Sequence, residues 1–178
     1  MSEGRNQKKE RTEVKTFSVP FDLGEIKEDL EISTNSLSQN PQDKIINLAI
    51  KLHRQGKTSE AAKYYQYFIN QGCKDPRVFF NYGSILNDLG KLKEAEILTR
   101  EAINLNQNFA FAHCNLGNIL RDLGQLQEAK ISTHKAINLN PNFAEAHSNL
   151  GNILRDLGQL QEAETSTRKA IDLNPNFA

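Results

Sequence analysis

The residues best suited to chemistry in this chain are amides. Asn47, Asn81, Asn115 and Asn149 recur at a spacing of 34 residues. Asn118 and Asn152 repeat that spacing one helical turn later, and Arg121 and Arg155 follow one turn beyond them. An asparagine side chain offers an acceptor oxygen and a donor NH2 on one rigid group. A ladder of such amides, one per repeat, can hydrogen-bond an extended peptide backbone bidentately without reading its side chains. The arginines add planar guanidinium forks suited to acidic or phosphorylated side chains. Asp122 and Asp156 follow them directly, so Arg–Asp pairing between repeats is the competing arrangement.

No catalytic set accompanies the amides. His113 and His147 recur because the surrounding block recurs. They fall at a packing position, with no second ligand at zinc spacing. His53 and His134 are isolated. Cys73 and Cys114 fall in different repeats with no adjacent base, so both are expected to be free structural thiols. The sequence contains no phosphate-cradling P-loop, no Gly-x-Ser-x-Gly and no dinucleotide fingerprint. The expectation is a protein that is not an enzyme, with no cofactor and no metal.

The elements that must position the amides come from an internal repeat. Residues 110–143 and 144–177 are blocks of 34 residues that differ at only six positions, the first pair being Phe111 and Glu145. Residues 76–109 share 19 of 34 positions with the block after them, and residues 42–75 form a degenerate copy. A period of this length marks a repeat architecture. Each block carries two apolar stripes at helical spacing. In the third they are Ala112, Leu116, Ile119, Leu120 and Leu123, then Leu126, Ala129, Ala136, Ile137 and Leu139. Gly117 and Ala129 are expected to let the two helices approach closely, and Gly124 to supply the turn between them. Pro141 is expected to stop the second helix. Asn40 and Asp75, each followed by proline, fit as N-caps. Phe109, Phe143 and Phe177 are expected to close the gap to the next unit. One unit cannot bury its apolar side alone, so the units must stack.

With Leu150, Gly151, Gly158, Ala163, Ala170 and Pro175 at these spacings, residues 42–177 resemble the tetratricopeptide repeat (TPR) family. The resemblance implies an all-α, right-handed α-solenoid of four helix-turn-helix units and eight helices. The usual aromatics give way to His113 or His147 in the first helix, and to Thr99, Thr133 or Thr167 in the second. These changes are expected to loosen the packing slightly. The family's first helices line a concave groove, and register then places Asn47, Asn81, Asn115, Asn118, Asn149, Asn152, Arg121 and Arg155 on it. Residues 144–164 also resemble the repeats that precede the catalytic domain of eukaryotic O-linked N-acetylglucosamine transferases, where a groove asparagine ladder binds peptide backbone. TPR clamps for a chaperone's terminal carboxylate use lysines where this chain has Ile46 and Phe80, which does not favour that ligand. Phe80 and Phe111 are candidate rim anchors, with inter-repeat packing as the stronger expectation.

The implied function is a protein-protein interaction scaffold for an extended peptide or partner protein. The alternative is the substrate-recruiting arm of a larger glycosyl-, methyl- or sulfotransferase, of which this chain is a fragment. Lys plus Arg and Asp plus Glu are both 22, and a balanced charge argues against partners held by net attraction, nucleic acid or membrane. Residues 1–15 lack an apolar run of the secretory kind, and no stretch of about 18 apolar residues occurs. Two cysteines without framework spacing fit a reducing compartment, so a cytoplasmic setting is expected, and the resemblance to bacterial arrays of such repeats implies a bacterial source.

Residues 1–40 are expected to be a largely disordered or linear segment. Within it, residues 16–34 alternate apolar residues (Phe17, Val19, Phe21, Leu23) before an acidic stretch, and could dock on a partner or on the repeats. At the other end the last helix, Leu160 to Leu173, would leave its apolar side uncovered. A continuation, or an end-to-end homodimer, is expected to cover it.

Overall fold

The computed structural model describes residues 41–175. The expectations for residues 1–40, for Asn40 as a cap and for Phe177 lie outside those residues. The described chain forms eight helices: α1 (Pro41–Arg54), α2 (Thr58–Asn70), α3 (Pro76–Asp88), α4 (Leu92–Leu105), α5 (Ala110–Asp122), α6 (Leu126–Leu139), α7 (Ala144–Asp156) and α8 (Leu160–Leu173). No strand occurs among the described residues.

Local sequence sets the helix ends. Asp75 is an extended residue whose carboxylate accepts from the Arg77 backbone N–H at 2.8 Å, and Pro76 follows at the first helical position. Between α5 and α6 the chain reverses at Gly124, whose φ of 75° is costly for any side chain. There the Gly124 N–H donates to Arg121 O and the Gln125 N–H to Leu120 O, which satisfies the last carbonyls of α5. The other three units turn the same way.

The second helices do not need proline to stop. Asn140, before Pro141, is extended with φ −141°. Asn106 adopts the same conformation before Gln107, with φ −144°. In both loops the asparagine oxygen accepts from the backbone N–H two residues on, Asn108 at 3.1 Å and Asn142 at 3.3 Å. This local side-chain turn competes with the helix, and proline only reinforces it.

Helices pair within each unit, and each second helix packs on the first helix of the next unit. The buried clusters cross unit boundaries. One joins Phe79 and Leu86 of α3, Ala95, Leu98 and Ala102 of α4, and Ala112 and Ile119 of α5. Another sets Leu116, Leu120 and Ala129 against Ile153 of the next unit. This is the stacking that a single unit's half-covered apolar face requires.

Curvature follows from the same contacts. First helices touch their counterparts, α3 with α5 and α5 with α7, whereas second helices do not pack on one another to that extent. The second helices are bridged instead by long side chains, Arg100 to Glu128 and Lys130 to Gln159 at 2.9 Å. The first helices therefore lie on the inner side of the curve.

The first unit departs from the others on one face. Val78, Ala112 and Ala146, and then Ile85, Ile119 and Ile153, are buried at equivalent positions of α3, α5 and α7. In α1 those positions hold Lys44 and Lys51.

Candidate inner-face binding site

The inner face is built from α1, α3, α5 and α7, and the repeat puts one asparagine of the ladder on each. The four amides differ in what they do. Asn47 is exposed, and its oxygen accepts from Arg77 Nη1 at 3.4 Å. Asn81 donates its amide to Arg77 O, one turn back, at 2.7 Å. Asn149 donates to Cys114 Sγ at 3.2 Å, across the unit boundary. The Asn115 amide nitrogen is buried and has no partner among the described residues. Both Asn81 and Asn149 thus use their donors internally, and their oxygens have no partner among the described residues.

The asparagines one turn later diverge more. Asn118 is half-buried, and its oxygen is buried without a partner among the described residues. Asn152 accepts from Arg155 Nη2 at 2.9 Å. Asn152 and Arg155 line a depression of about 300 Å³ between α7 and α8, with Leu160, Ala163 and Thr167 beside the charged Glu164 and Arg168 on the α8 side.

Arg121 takes the competing arrangement. Its guanidinium reaches Asp122 at 3.1 Å and Asp156 of the next unit at 3.8 Å. Arg155 has no carboxylate partner among the described residues and is exposed. The two arginines are equivalent in sequence but not in availability.

Arg77 was not singled out by sequence, yet it organises the groove's first end. It contacts the Asp75 carboxylate at 2.5 Å and Asp43 of the previous unit at 2.7 Å. Those two hydrogen-bonded carboxylates hold its guanidinium above the ordinary arginine range, against the opposing effect of burial. The available signal was Asp43, one repeat before Arg77.

The aromatic and imidazole side chains prove to be inter-unit or loop contacts. Phe80 meets Phe109 at a tilt of 51° with ring centres 4.9 Å apart, and Phe111 meets Phe143 edge-on at 4.8 Å. Phe111 keeps 53% of its surface exposed, so one face remains open beside the groove. His113 donates from Nε2 to Gln107 O and His147 to Pro141 O, each at 3.0 Å, tying the preceding loop to its helix. No metal-holding cluster of His, Cys, Asp or Glu occurs among the described residues. Cys73 and Cys114 are free and buried. No helix among the described residues is long and apolar enough to cross a membrane.

Among curated protein sequences none matches the chain. Models of the tetratricopeptide repeat match residues 46–113, 98–131 and 144–177, and a TPR repeat model matches residues 117–158. Among solved structures, one of MamA is similar at 21% identity and a TM-score of 0.70, over 84% of this chain and 85% of that one. MamA from Desulfovibrio magneticus is similar at 23% and 0.66, over 78% of each chain. YrrB, described as a TPR protein with an unusual peptide-binding site, is similar at 22% and 0.67, over 87% of this chain and 82% of that one. With eight paired helices, an inner face of first helices and repeat models matching from residue 46 to residue 177, the chain belongs to the tetratricopeptide repeat family.

Proposed function

We propose that this chain is a non-catalytic interaction scaffold whose inner face binds an extended peptide or an extended segment of a partner protein. The observation that carries this reading is the disposition of the asparagine oxygens. Asn81 and Asn149 stand at equivalent positions of α3 and α7 with their donors engaged inside the protein and their oxygens unpartnered. The rungs would therefore act as acceptors for peptide N–H groups rather than as two-way pairs. Arg155, Asn152 and the open face of Phe111 would add side-chain contacts along the path. YrrB is a TPR protein of this fold with a peptide-binding site, which makes the reading reasonable for the architecture.

Peptide-array capture tests it. Asn115→Ala with Asn149→Ala is expected to weaken capture by about tenfold, since each lost neutral hydrogen bond contributes ~0.5–1.5 kcal/mol. Helicity should be unchanged. Undiminished capture by the double variant would remove the ladder from the site.

A homodimer through α8 is a second reading with its own observation. Leu160 and Ile171 are 60% and 40% exposed, whereas their counterparts Leu126 and Ile137 are partly covered by the next unit. Sedimentation of the full chain across concentrations tests this, and a monomer at high micromolar concentration would dismiss it. The recruiting-arm alternative uses the same groove and rests on sequence resemblance.

A further inference from the structure

The boundary between the first and second units is missing a phenylalanine that the other boundaries have. Phe143 packs among Ala110, Phe111 and Cys114, at the start of α5. Phe109 lies against Phe80 at the equivalent place one unit earlier. Counting back from Phe143 and Phe109 by whole repeats leads to Asp75. Asp75 cannot fill the slot, because its short carboxylate is turned onto Arg77 as the cap of α3.

The slot is consequently open. A notch of about 340 Å³ remains, lined by Gln42, Asp43, Ile46, Cys73, Asp75 and Pro76, with Lys74 at its edge. Gln42, Asp43 and Ile46 are the repeat equivalents of Ala110, Phe111 and Cys114, the residues that hold Phe143. The floor is apolar: Ile46 is 1% and Cys73 8% exposed. A cavity of about 150 Å³ already admits benzene, so the notch has room for a phenyl ring and part of its backbone.

We propose that the notch is filled by a phenylalanine of the chain's own segment 17–23, Phe-Ser-Val-Pro-Phe-Asp-Leu. Three observations point to this occupant. The segment holds the two phenylalanines that precede the array, Phe17 and Phe21. The chain enters α1 at Pro41, beside Gln42 and Asp43 of the notch, and the roughly 20 residues between are long enough to return. Charge is complementary as well. Residues 22–31, from the end of that segment onward, carry Asp22, Glu25, Glu28, Asp29 and Glu31 against Lys27 alone, whereas residues 41–75 carry six Lys or Arg against three Asp or Glu. Tethering makes the contact intramolecular, so modest affinity suffices to keep the notch occupied.

Cys73 in the notch floor provides the readout. In the full chain carrying Cys114→Ser, the residue found in the fourth unit as Ser148, the reaction of Cys73 with an aromatic disulfide reagent is timed. Replacing both Phe17 and Phe21 by Ala is expected to accelerate it by about tenfold, the ratio for a segment docked nine-tenths of the time. A synthetic peptide of residues 14–24 added to that variant should slow it again, and the same peptide with both phenylalanines replaced should not. The single variants Phe17→Ala and Phe21→Ala show which ring enters. A Cys73 rate unaffected by the double replacement overturns the proposal, whatever the peptide arrays show for the inner face. Equal protection by the phenylalanine-free peptide overturns it too.

Discussion

The hydroxyl of Thr133 lies against Gly117 where a Cβ would have to stand. Thr99 meets Gly83 in the same way, its hydroxyl 2.8 Å from where that Cβ would stand, and Thr167 meets Gly151. Threonine thus occupies the tight contact where the usual aromatic would stand. It is the side chain that fits a backbone approach this close, and in α6 and α8 its hydroxyl also donates to a carbonyl one turn back, Ala129 O and Ala163 O, at 2.9 Å.

Gly117→Ala should accordingly destabilise the protein. Alanine gains ~1 kcal/mol of helix propensity, but overpacking against Thr133 costs about 1–3 kcal/mol. A net loss of up to ~2 kcal/mol is expected in urea unfolding, and the double variant with Thr133→Ala should lose less than the sum of the two single changes. Strict additivity would mean that the two residues do not press on each other.

Asp75→Ala should cost about 1–2 kcal/mol, because it removes a helix cap and leaves Arg77 with Asp43 alone. Asp43→Ala should cost under ~1 kcal/mol, since that pair is about half exposed. The acid limb should differ between them. Burial acts to raise the Asp75 carboxyl, but the side-chain and backbone hydrogen bonds from Arg77 and its charge prevail, so the group sits below its ordinary value. It stabilises the fold above the ordinary carboxylate range, and that stability is lost as pH falls through the lower folded value, below about pH 4. Thermal melts of Asp75→Ala should show a shallower acid loss.

Two histidines give a milder dependence nearer neutrality. Burial lowers His113, helped by Lys135 and opposed by the bond to Gln107 O. Burial also lowers His134, with Lys130 and His147 acting the same way and Glu162 opposing. Below about pH 6.5 the unfolded chain then binds protons that the folded chain resists, and stability falls with pH. His113→Gln with His134→Gln should flatten the melting temperature between pH 7.5 and 5.5, and an unchanged slope would assign the dependence to other groups.

Cys114 should be inert in the folded protein. Burial pushes its thiol up to about 12, Glu145 adds to this, and the Asn149 amide pulls the other way. Mass spectrometry after alkylation at pH 8 should find Cys114 unmodified until denaturant unfolds the array. Rapid native labelling would show that α5 and α7 part locally.

Asn115→Ala should raise the melting temperature or leave it unchanged, because it deletes a buried amide nitrogen that has no partner. The same change should weaken peptide capture. A residue whose removal helps the fold and harms binding is the signature of a group kept for function.

The fold was legible because a 34-residue period, with glycine at turns and small residues at contacts, leaves few alternatives. The site was legible only as a register. Asn118 and Asn152 are identical in sequence context, yet the Asn118 oxygen is buried without a partner among the described residues and Asn152 lines an open depression. Arg121 and Arg155 also part, since Asp156 reaches the first and no carboxylate reaches the second among the described residues. Period assigns each residue an orientation within its unit, but accessibility depends on the neighbouring units. The stopping of α4 at Asn106 was missed in a different way. Pro141 marks the end of α6 in the sequence, but the asparagine turn shared by both loops is the more general cause.

Lys44 and Lys51 give the array a direction that its repetition hides. Moved to any interior place, the first unit would drive two ammonium groups into a boundary where Val78 and Ile85, or their counterparts, lie buried. The third and fourth units could trade places with little consequence, while the first fits only one address. A chain with nearly interchangeable parts thus carries its own order of assembly in two side chains.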